Sequence, residues 1–367
     1  MIIVHVLKHP LTGVMSSLLN LIEVQSQRHK VYVFLQVKSD WPKEYLRLIQ
    51  ESGVEYKIAP LGSWRMSYLA LFFKRDFYDF AHKIKNKYPN SKIIAHHHNS
   101  EWSSCFMGSW YKNVFDKVVV TFHGIPGILP QFKRRRPLQK VLKKYLDIYS
   151  DHYISVDTDS LNKAKEILGY SPGQFEVIPN GIKITHFENI SVKNNTEFTV
   201  GFIGTIDDNK GWDIIIDSVA RLRDKGFDVD LLIAGDGHLK SKLLEHISDK
   251  SHYIKYLGSV SDVINDFYLK VDLVVIASKA EGMPMVALES INQEIALLST
   301  PLSFIEDFKS KGIIINVCKR NHEDIANNIK SIKDNLFFYD AKKNKELLTL
   351  YYSNVKVADK YDEIYFR

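Results

Sequence analysis

Apolar and polar positions along the chain follow two alternating patterns. Short runs rich in β-branched residues, such as 30–35 and 117–122, are typical of strands buried on both faces. Between these runs lie longer segments with apolar residues three and four positions apart, as in 14–24, and this spacing predicts helices with one apolar face. Strands that alternate with helices in this way predict parallel sheets covered by helices.

The predicted strands form two series. The first lies at 1–7, 30–35, 54–59, 92–96, 117–122, 152–156 and 175–178, with helices between them, for example at 41–50 and 66–87. The second lies at 198–204, 229–234, 253–257, 272–277, 295–299 and 312–317. The polar stretch 191–196 separates the two series. We therefore predict two doubly wound α/β domains, 1–190 and 197–350, and a terminal helix over 351–367.

The composition fits a folded protein with two cores. Of the 367 residues, 45% are hydrophobic and 25% are charged, and the formal net charge is +6. This mild positive charge suits an anionic small ligand or an anionic membrane surface and does not require nucleic acid as a partner. Cys105 and Cys318 supply neither a disulfide framework nor a zinc site, so we expect free thiols and a cytoplasmic protein. No apolar run reaches the roughly 20 residues of a membrane-spanning helix.

The segment 280–289 has the features of a ligand-binding turn between a strand and a helix. It follows the predicted strand 272–277, and Pro284 suits the first helical turn, where its missing N–H costs nothing. The unpaired N–H groups of such a helix attract a phosphate or a sugar oxygen. Glu281 precedes the helix and Glu289 lies about two turns along it, so the two carboxylates can accept hydrogen bonds from different parts of one elongated ligand.

The sequence from Glu281 to Glu289, Glu-Gly-Met-Pro-Met-Val-Ala-Leu-Glu, resembles the Glu-x7-Glu signature of retaining GT-B glycosyltransferases, especially glycosyltransferase family 4. The resemblance implies two Rossmann-like domains that face a cleft and a C-terminal helix that crosses back to the first domain. It implies that Glu289 binds the nucleotide ribose, and that Glu281 and the next four residues hold the donor sugar. Those four are Gly282, Met283, Pro284 and Met285. The family chemistry needs no bound metal or cofactor.

The loop 204–211 also matches the family. It resembles the loop after the first strand of the second domain, where an arginine and a lysine bind the donor diphosphate. Gly204 and Lys210 match this pattern, whereas Thr205 stands where the arginine is expected. The resemblance therefore predicts a diphosphate site with one of its two cations, and a solvated loop lysine is the alternative interpretation of Lys210.

Three further positions match the family less specifically. Gly235 resembles a turn where the backbone approaches the ligand, although a plain tight turn has the same sequence. Val260 resembles the segment that meets the nucleobase, and a strand end is its alternative. Gly13 resembles one glycine of a loop near the diphosphate.

Histidines follow two predicted strands of the first domain. His123 ends the strand 117–122, where the family carries a histidine that faces the donor sugar, so the resemblance implies that it contacts a sugar hydroxyl. His96, His97 and His98 follow another strand. Because alternating side chains point to opposite faces and no carboxylate or cysteine completes a local ligand set, we favour cleft lining over metal binding for them.

The segment 133–145 combines basic residues with apolar residues at helical spacing, which predicts a basic amphipathic helix. Such a helix can dock on anionic lipid, and a solvated surface helix is the alternative. Further apolar and aromatic residues lie in the same predicted domain at Trp64, Tyr68, Leu71, Phe72 and Phe73.

The whole pattern resembles an enzyme that moves a sugar from a nucleotide diphosphate sugar, with UDP favoured, to a glycan or lipid-linked acceptor, as in bacterial surface polysaccharide or lipopolysaccharide synthesis. His123, Glu281 and Lys210 are the residues expected at the reacting centre. A sugar-nucleotide epimerase or a phosphorylase of the same fold is an alternative. A non-catalytic, membrane-docked subunit is another, because Thr205 replaces the expected arginine.

Overall fold

The structure is a computed structural model, and it describes residues 1–7, 12–37, 43–60, 70–98, 111–123, 150–168, 175–185, 198–335 and 339–367. The chain forms two compact units. The first comprises Met1–Lys183 with Asn354–Arg367, and the second comprises Ile184–Ser353. This division precedes the expected boundary at 190–197, which lies outside the described residues.

A parallel sheet forms the centre of the first unit. Its strands are β1 (Ile2–Leu7), β2 (Lys30–Val37), β3 (Glu55–Pro60), β4 (Ile93–His98), β5 (Lys117–Phe122), β6 (His152–Ser155) and β7 (Phe175–Val177). Their order is β3-β2-β1-β4-β5-β6-β7. The helices between them are α1 (Thr12–Arg28), α2 (Lys43–Glu51), α3 (Ala70–Lys87), α4 (Tyr111–Val114) and α5 (Thr158–Leu168). The first six strands have the order of a Rossmann fold, as the alternation of strands and helices predicts.

β1 shows why this sheet needs a helix layer on each face. All of its residues are buried, and successive side chains point to opposite faces. Ile2 and Val4 pack in one apolar cluster with side chains of α3. Ile3 packs in another with side chains of α1. By the same alternation His5 shares the face of Ile3, so an ionisable side chain is enclosed beneath α1.

The second unit is built around another parallel sheet. Its strands are β8 (Phe198–Ile203), β9 (Val229–Ala234), β10 (Ile254–Tyr256), β11 (Leu273–Ile276), β12 (Ala296–Ser299) and β13 (Asn316–Val317). Their order is β10-β9-β8-β11-β12-β13, the Rossmann order again. The helices are α6 (Trp212–Asp224), α7 (Lys240–His246), α8 (Val263–Asp266), α9 (Met285–Asn292), α10 (Phe304–Ser310), α11 (His322–Lys333) and α12 (Ala341–Tyr352). Two Rossmann-like domains are therefore present, as predicted.

Two strands differ from the predicted bounds for physical reasons. β4 continues past the predicted end at 96 to His98, because His98 still pairs with β1 and β5. β13 is shorter than the predicted 312–317. The side chain of Asn344 binds the backbone N–H and C=O of Ile314 at 2.9 and 2.7 Å, which takes these groups out of strand pairing.

The predicted helix 351–367 is broken at Ser353. Tyr351 and Tyr352 end α12 in the second unit, and the chain continues as α13 (Asn354–Phe366) in the first unit. The break follows from the extended backbone of Ser353, whose ψ is 146°. Lys92 and Lys117 donate from Nζ to the carbonyls of Tyr365 and Ile364, each at 2.7 Å, and so satisfy the C-terminal end of α13.

None of the helices in the described part of the chain combines the length and apolarity that crossing a membrane requires.

Candidate functional site

The loops after β8 and β11 meet at the centre of the second sheet. β8 and β11 are neighbours, although they are not consecutive in the chain. The helix that follows β8 packs with α11, whereas the helix that follows β11 packs with α12. This reversal of strand order is the point at which open α/β sheets bind ligands, just outside the carboxyl ends of the strands.

Lys210 and Glu281 form an ion pair at this point. Lys210 Nζ lies 2.5 Å from Glu281 Oε1, and the hydroxyl group of Ser278 donates to the same oxygen at 2.7 Å. The side chains of Lys210 and Glu281 are 27% and 14% exposed. The cluster is therefore sheltered enough for strong hydrogen bonds but still open to a ligand.

The two loops are joined by hydrogen bonds that fix this geometry. Asn209 Nδ2 donates to the carbonyl of Ala280 at 3.0 Å, and its Oδ1 accepts from the backbone of Ala280 at 3.2 Å. Asp207 Oδ1 accepts from the backbone N–H groups of Asn209 and Lys210 at 2.9 and 3.1 Å. The Asp207 side chain thus fixes the conformation of the loop that carries Lys210.

Glu289 occupies a half-buried position beside Tyr268. It lies in α9, which begins at Met285 with Pro284 as its N-cap residue, close to the predicted helix start. The hydroxyl group of Tyr268 donates to Glu289 Oε2 at 2.6 Å. Burial raises the pKa of Glu289, and the hydrogen bond from Tyr268 opposes this rise. Carboxyl groups whose pKa is raised by burial are common in functional sites.

The residues between the two glutamates form a buried turn. Gly282, Met283, Pro284 and Met285 are all buried, and the backbone carbonyl of Glu281 accepts a hydrogen bond from Ser303 at 3.1 Å. The first turn of α9 has no side-chain cap. This turn therefore offers backbone groups, not side chains, to a ligand.

The turn at Gly235 approaches another strand end. Gly235 has φ of 130°, and a Cβ built on it would lie 1.8 Å from the carbonyl oxygen of Gly204. Its own N–H donates to the carbonyl of Gly258 at 2.7 Å. The close contact of Gly235 with Gly204 is therefore enough by itself to explain why residue 235 is a glycine. Val260, two residues after Gly258, is half-buried beyond β10.

Thr205 brings no charge to this edge of the sheet, but a basic residue from the segment after β13 does. The Nε of Arg320 donates to the carbonyl of Ala277 at 2.8 Å. Ala277 directly precedes Ser278, whose hydroxyl group binds Glu281. Arg320 was not predicted from the sequence, where its only signal is a basic residue just after the last strand of the domain.

In the first unit, His123 follows β5 and both of its ring nitrogens have protein partners. Nε2 lies 2.9 Å from His98 Nδ1, and Nδ1 lies 3.2 Å from Asn180 Oδ1. His123 and His98 line a small cavity together with Ser17, Leu21, Pro179, Gly181, Asn354, Val357 and Tyr361. Burial lowers the pKa of His123 to about 4, so its imidazole is neutral at pH 7. Gly13 lies in α1, with open space where a Cβ would stand.

The three consecutive histidines do not share one environment, which corrects the expectation that all three line a cleft. His96 and His98 point to the face that α1 and α13 cover, and both are buried. His97 points to the opposite face and packs near Phe77. Of the three, only His98 reaches the cavity.

His5 was not predicted from the sequence as a site residue, but it joins this cluster from β1. One ring nitrogen from each of His5, His96 and His98 lies within 4.8 Å of the other two, as in a metal site. Each nitrogen already has a hydrogen-bonding partner, however. The partners outside the cluster are Gln25, Thr121, Tyr365 and His123. A cation would have to displace these bonds, so we interpret the cluster as a hydrogen-bond network.

The expected membrane-docking helix 133–145 lies outside the described residues, as do Trp64 and Tyr68. The side chains of Leu71, Phe72 and Phe73 likewise lie outside the described part of α3.

Two protein-family models match the chain. The model described as Glycosyltransferase Family 4 matches residues 11–186. The model described as Glycosyl transferases group 1 matches residues 197–335. The two matches correspond to the two Rossmann-like domains.

One curated relative is the GalNAc-α-(1→4)-GalNAc-α-(1→3)-diNAcBac-PP-undecaprenol α-1,4-N-acetyl-D-galactosaminyltransferase of Campylobacter jejuni. The chain is 32% identical to it over 106 residues, which cover 28% of this chain and 29% of the relative. The curated relatives are matched over 29% to 53% of their length, which is about half or less.

Solved structures resemble the whole chain. HepE of Anabaena, in complex with UDP and glucose, superposes with a TM-score of 0.77 over 99% of both chains at 16% identity. The lipopolysaccharide outer core galactosyltransferase WaaB superposes with a TM-score of 0.71 at 16% identity, over 100% of this chain and 99% of that chain. The fold is therefore GT-B. With one domain matched by the Glycosyltransferase Family 4 model and the other by the Glycosyl transferases group 1 model, the chain belongs to the glycosyltransferases.

Proposed function

We propose that the protein is a retaining glycosyltransferase that moves a sugar from a nucleotide diphosphate sugar to a glycan or lipid-linked acceptor. The observation that carries this proposal is the cluster of Lys210, Glu281 and Ser278 at the strand reversal of the second sheet, with Glu289 in the adjoining helix. This cluster offers a cation and two carboxylates to one elongated ligand, and family membership supports the reaction class.

Each charged residue suits one part of the donor substrate. Glu289 accepts hydrogen bonds from the ribose hydroxyl groups, and Glu281 accepts one from the transferred sugar. Lys210 offsets negative charge on the diphosphate as the bond to the sugar breaks. A charge-assisted hydrogen bond of this kind contributes roughly 1.5–3 kcal/mol.

The ion pair of Lys210 and Glu281 involves the same groups that a donor substrate would bind. Lys210 and Glu281 are bonded to each other at 2.5 Å, so a donor substrate must exchange part of this contact for its own phosphate and hydroxyl groups. Because the same nucleotide sugar supplies an anion and a hydroxyl group, one ligand satisfies both side chains.

Arg320 supplies the second cation that Thr205 does not. Its guanidinium is anchored on Ala277, next to the residue that binds Glu281. Arg320→Met is expected to weaken binding of a nucleotide diphosphate about tenfold, with little effect on the nucleoside alone. Equal affinity in the wild type and the variant would remove Arg320 from the site.

UDP is the favoured nucleotide of the donor, because the resemblance favours it and HepE is solved with UDP. The acceptor class is supported by two relatives, one named for a polyprenol-linked glycan and one for the lipopolysaccharide outer core. The proposed setting is therefore the synthesis of a bacterial surface glycan, on the cytoplasmic side of the membrane.

A thermal-shift screen tests the proposal. The protein is heated with UDP, GDP, ADP, CMP and their common sugars, and a ligand at 100 times its dissociation constant should stabilise it by about 2.7 kcal/mol. Glu289→Ala should abolish the shift. The matched control is Glu306→Gln, at a carboxylate that is 79% exposed on α10, which should keep the shift. The anomeric configuration of the product, read by NMR, then tests retention.

A non-catalytic subunit of the same fold is the second candidate, and Thr205 is the observation in its favour. It predicts that the nucleotide binds and that no sugar is transferred or hydrolysed. Release of free UDP from a UDP-sugar by the wild type, lost in Lys210→Met, would exclude it.

A further inference from the structure

Tyr268 is a buried tyrosine of the second unit whose hydroxyl group reaches a residue of the proposed donor site. Its side chain is enclosed, with 1% of the residue exposed, and its hydroxyl group donates to Glu289 Oε2 at 2.6 Å. Tyr268 precedes β11, whereas Glu289 lies in α9, after that strand. The hydrogen bond therefore ties the segment before β11 to the helix that follows it.

Packing against β8 holds the segment that carries Tyr268. This residue begins a short 3₁₀ helix over Tyr268–Lys270, and the ring of Phe267 packs edge to face with its ring, with the centroids 5.2 Å apart. A Cβ built on Gly201 of β8 would lie 2.7 Å from the ring of Phe267. Glycine at 201 thus lets this segment pack closely on the sheet, and the tyrosine ring has a tightly packed support.

The two carboxylate oxygens of Glu289 have different surroundings. Oε2 accepts the hydrogen bond of Tyr268, whereas Oε1 accepts none from the described part of the chain. Glu289 is half-buried, and Oε1 does not belong to the polar atoms that are both enclosed and unbonded. Oε1 is therefore the oxygen that a ligand can reach.

The hydroxyl group of Tyr268 is a dependable donor at neutral pH. Burial raises the pKa of Tyr268 well above its usual value, and the charge of Glu289 raises it further. In turn, the hydrogen bond lowers the pKa of Glu289 and so favours its charged form, which burial disfavours. Tyr268 thus supports the carboxylate in the form that accepts hydrogen bonds.

We propose that Tyr268 is a positioning residue for the donor nucleotide: its hydroxyl group holds Oε2 of Glu289, so that Oε1 is left to accept hydrogen bonds from the ribose hydroxyl groups. Because the carboxylate is ordered before the nucleotide arrives, binding avoids the entropic cost of ordering it. The link to ribose rests on the proposed function, whereas the contact of Tyr268 with Glu289 is independent of it.

Calorimetric titration of the whole protein with UDP and with 2′,3′-dideoxy-UDP tests the proposal. Tyr268→Phe should weaken binding of UDP about tenfold, because the carboxylate is no longer held for the ribose. The dideoxy nucleotide has no ribose hydroxyl groups, so the wild type and the variant should bind it with the same affinity. Unchanged affinity for UDP, or an equal loss for both nucleotides, would overturn the proposal.

The matched control is Tyr352→Phe, which makes the same change at another buried tyrosine of the second unit. Tyr352 is also 1% exposed, and its hydroxyl group donates to Asp307 Oδ2 at 2.5 Å. We expect both variants to have lowered melting temperatures, because each loses a buried hydrogen bond to a carboxylate. Only Tyr268→Phe should lose affinity for UDP. An equal loss in Tyr352→Phe would show a general effect of stability and overturn the positioning role.

Glu289→Ala in the same titration separates this proposal from the proposed function. If Glu289→Ala weakens binding of UDP and Tyr268→Phe does not, the positioning role alone is wrong. If neither variant weakens it, the ribose role of Glu289 fails and the positioning role fails with it.

The contact itself is tested without nucleotide, by ¹³C NMR titration of protein labelled at glutamate. The carboxyl signal of Glu289 is identified by its loss in Glu289→Ala. In Tyr268→Phe its titration midpoint should rise by about one pH unit or more, because a donor to the charged form is gone. An unchanged midpoint would overturn the proposal.

Discussion

Lys210 Nζ lies 2.5 Å from Glu281 Oε1, so a lysine from the loop after β8 and a glutamate from the loop after β11 are bonded to each other. The two residues are 71 positions apart in the chain. The pairing of β8 with β11 brings them together, because neighbouring parallel strands end at the same edge of a sheet.

The first prediction separates sugar binding from nucleotide binding. Glu281→Gln should weaken the affinity for the nucleotide diphosphate sugar about 10- to 100-fold, because a charge-assisted hydrogen bond to the sugar is lost. The affinity for the nucleotide diphosphate itself should change little. Isothermal titration calorimetry with both ligands measures the two values.

Lys210→Met is the matched comparison. It removes the cation proposed for the diphosphate, so both ligands should bind more weakly. If Glu281→Gln weakened both ligands equally, Glu281 would not be the residue that distinguishes the sugar.

The second prediction concerns the cost of burying Glu289. Its raised pKa means that folding favours the protonated form, so the stability it contributes is full below the unfolded value near 4.5 and is lost as pH rises. Glu289→Gln removes this cost and keeps an acceptor for Tyr268. The variant should therefore have a higher melting temperature at pH 7 and at least tenfold weaker nucleotide binding. A lower melting temperature with unchanged nucleotide affinity would make Glu289 a structural residue.

The third prediction tests the contact between strand ends at Gly235. Gly235→Ala should lower the free energy of unfolding by about 3 kcal/mol or more, because a Cβ would lie 1.8 Å from a backbone oxygen and φ is 130°. The control is Gly226→Ala, which has φ of 79° but open space around it and should cost about 1 kcal/mol. Chemical denaturation of both variants gives the two values; similar losses would contradict the steric argument.

The fourth prediction is acid sensitivity of the first unit. Burial lowers the pKa of His5 and of His123 to about 4 and that of His97 to about 3. Between the unfolded value near 6.5 and these values the unfolded chain binds more protons, so stability falls as pH falls. Each such group contributes a slope of about 1.4 kcal/mol per pH unit in that window.

Denaturation at pH 7, 6, 5 and 4.5 measures this slope. His97→Phe removes one of the groups and should make the slope smaller by about one proton. A free energy of unfolding that is constant from pH 7 to 4.5 would contradict the burial of neutral histidines.

The fifth prediction concerns α13. Its residues Tyr361, Ile364 and Tyr365 are buried against the sheet of the first unit. Deletion of 354–367 should therefore expose this face and make the first unit sensitive to proteolysis. Deletion of the last two residues alone is the control, because Phe366 is 65% exposed. Resistance of the longer deletion to protease would show that α13 is dispensable for this unit.

Local sequence determined the elements and the fold class of this protein. The strands and helices were predictable because burial on one or both faces imposes a hydrophobic period, as in β5 and β9, whose bounds agree with the prediction. Lys210, Glu281 and Glu289 were also accessible from sequence, because they lie within short segments of family type. What local sequence did not contain was the break at Ser353, where the apolar spacing continues across a change of unit.

Only the tertiary structure decided which side chains meet. His5 and His98 are 93 residues apart, and Arg320 reaches Ala277 across 43 residues. No local pattern marks either pair, because sheet order sets them and a period of two gives only the face on which a side chain lies. The sequence thus determined two Rossmann-like domains and the glutamates of a ligand site. The packing of strands against one another decided the contact of His5 with His98 and the ion pair of Lys210 with Glu281.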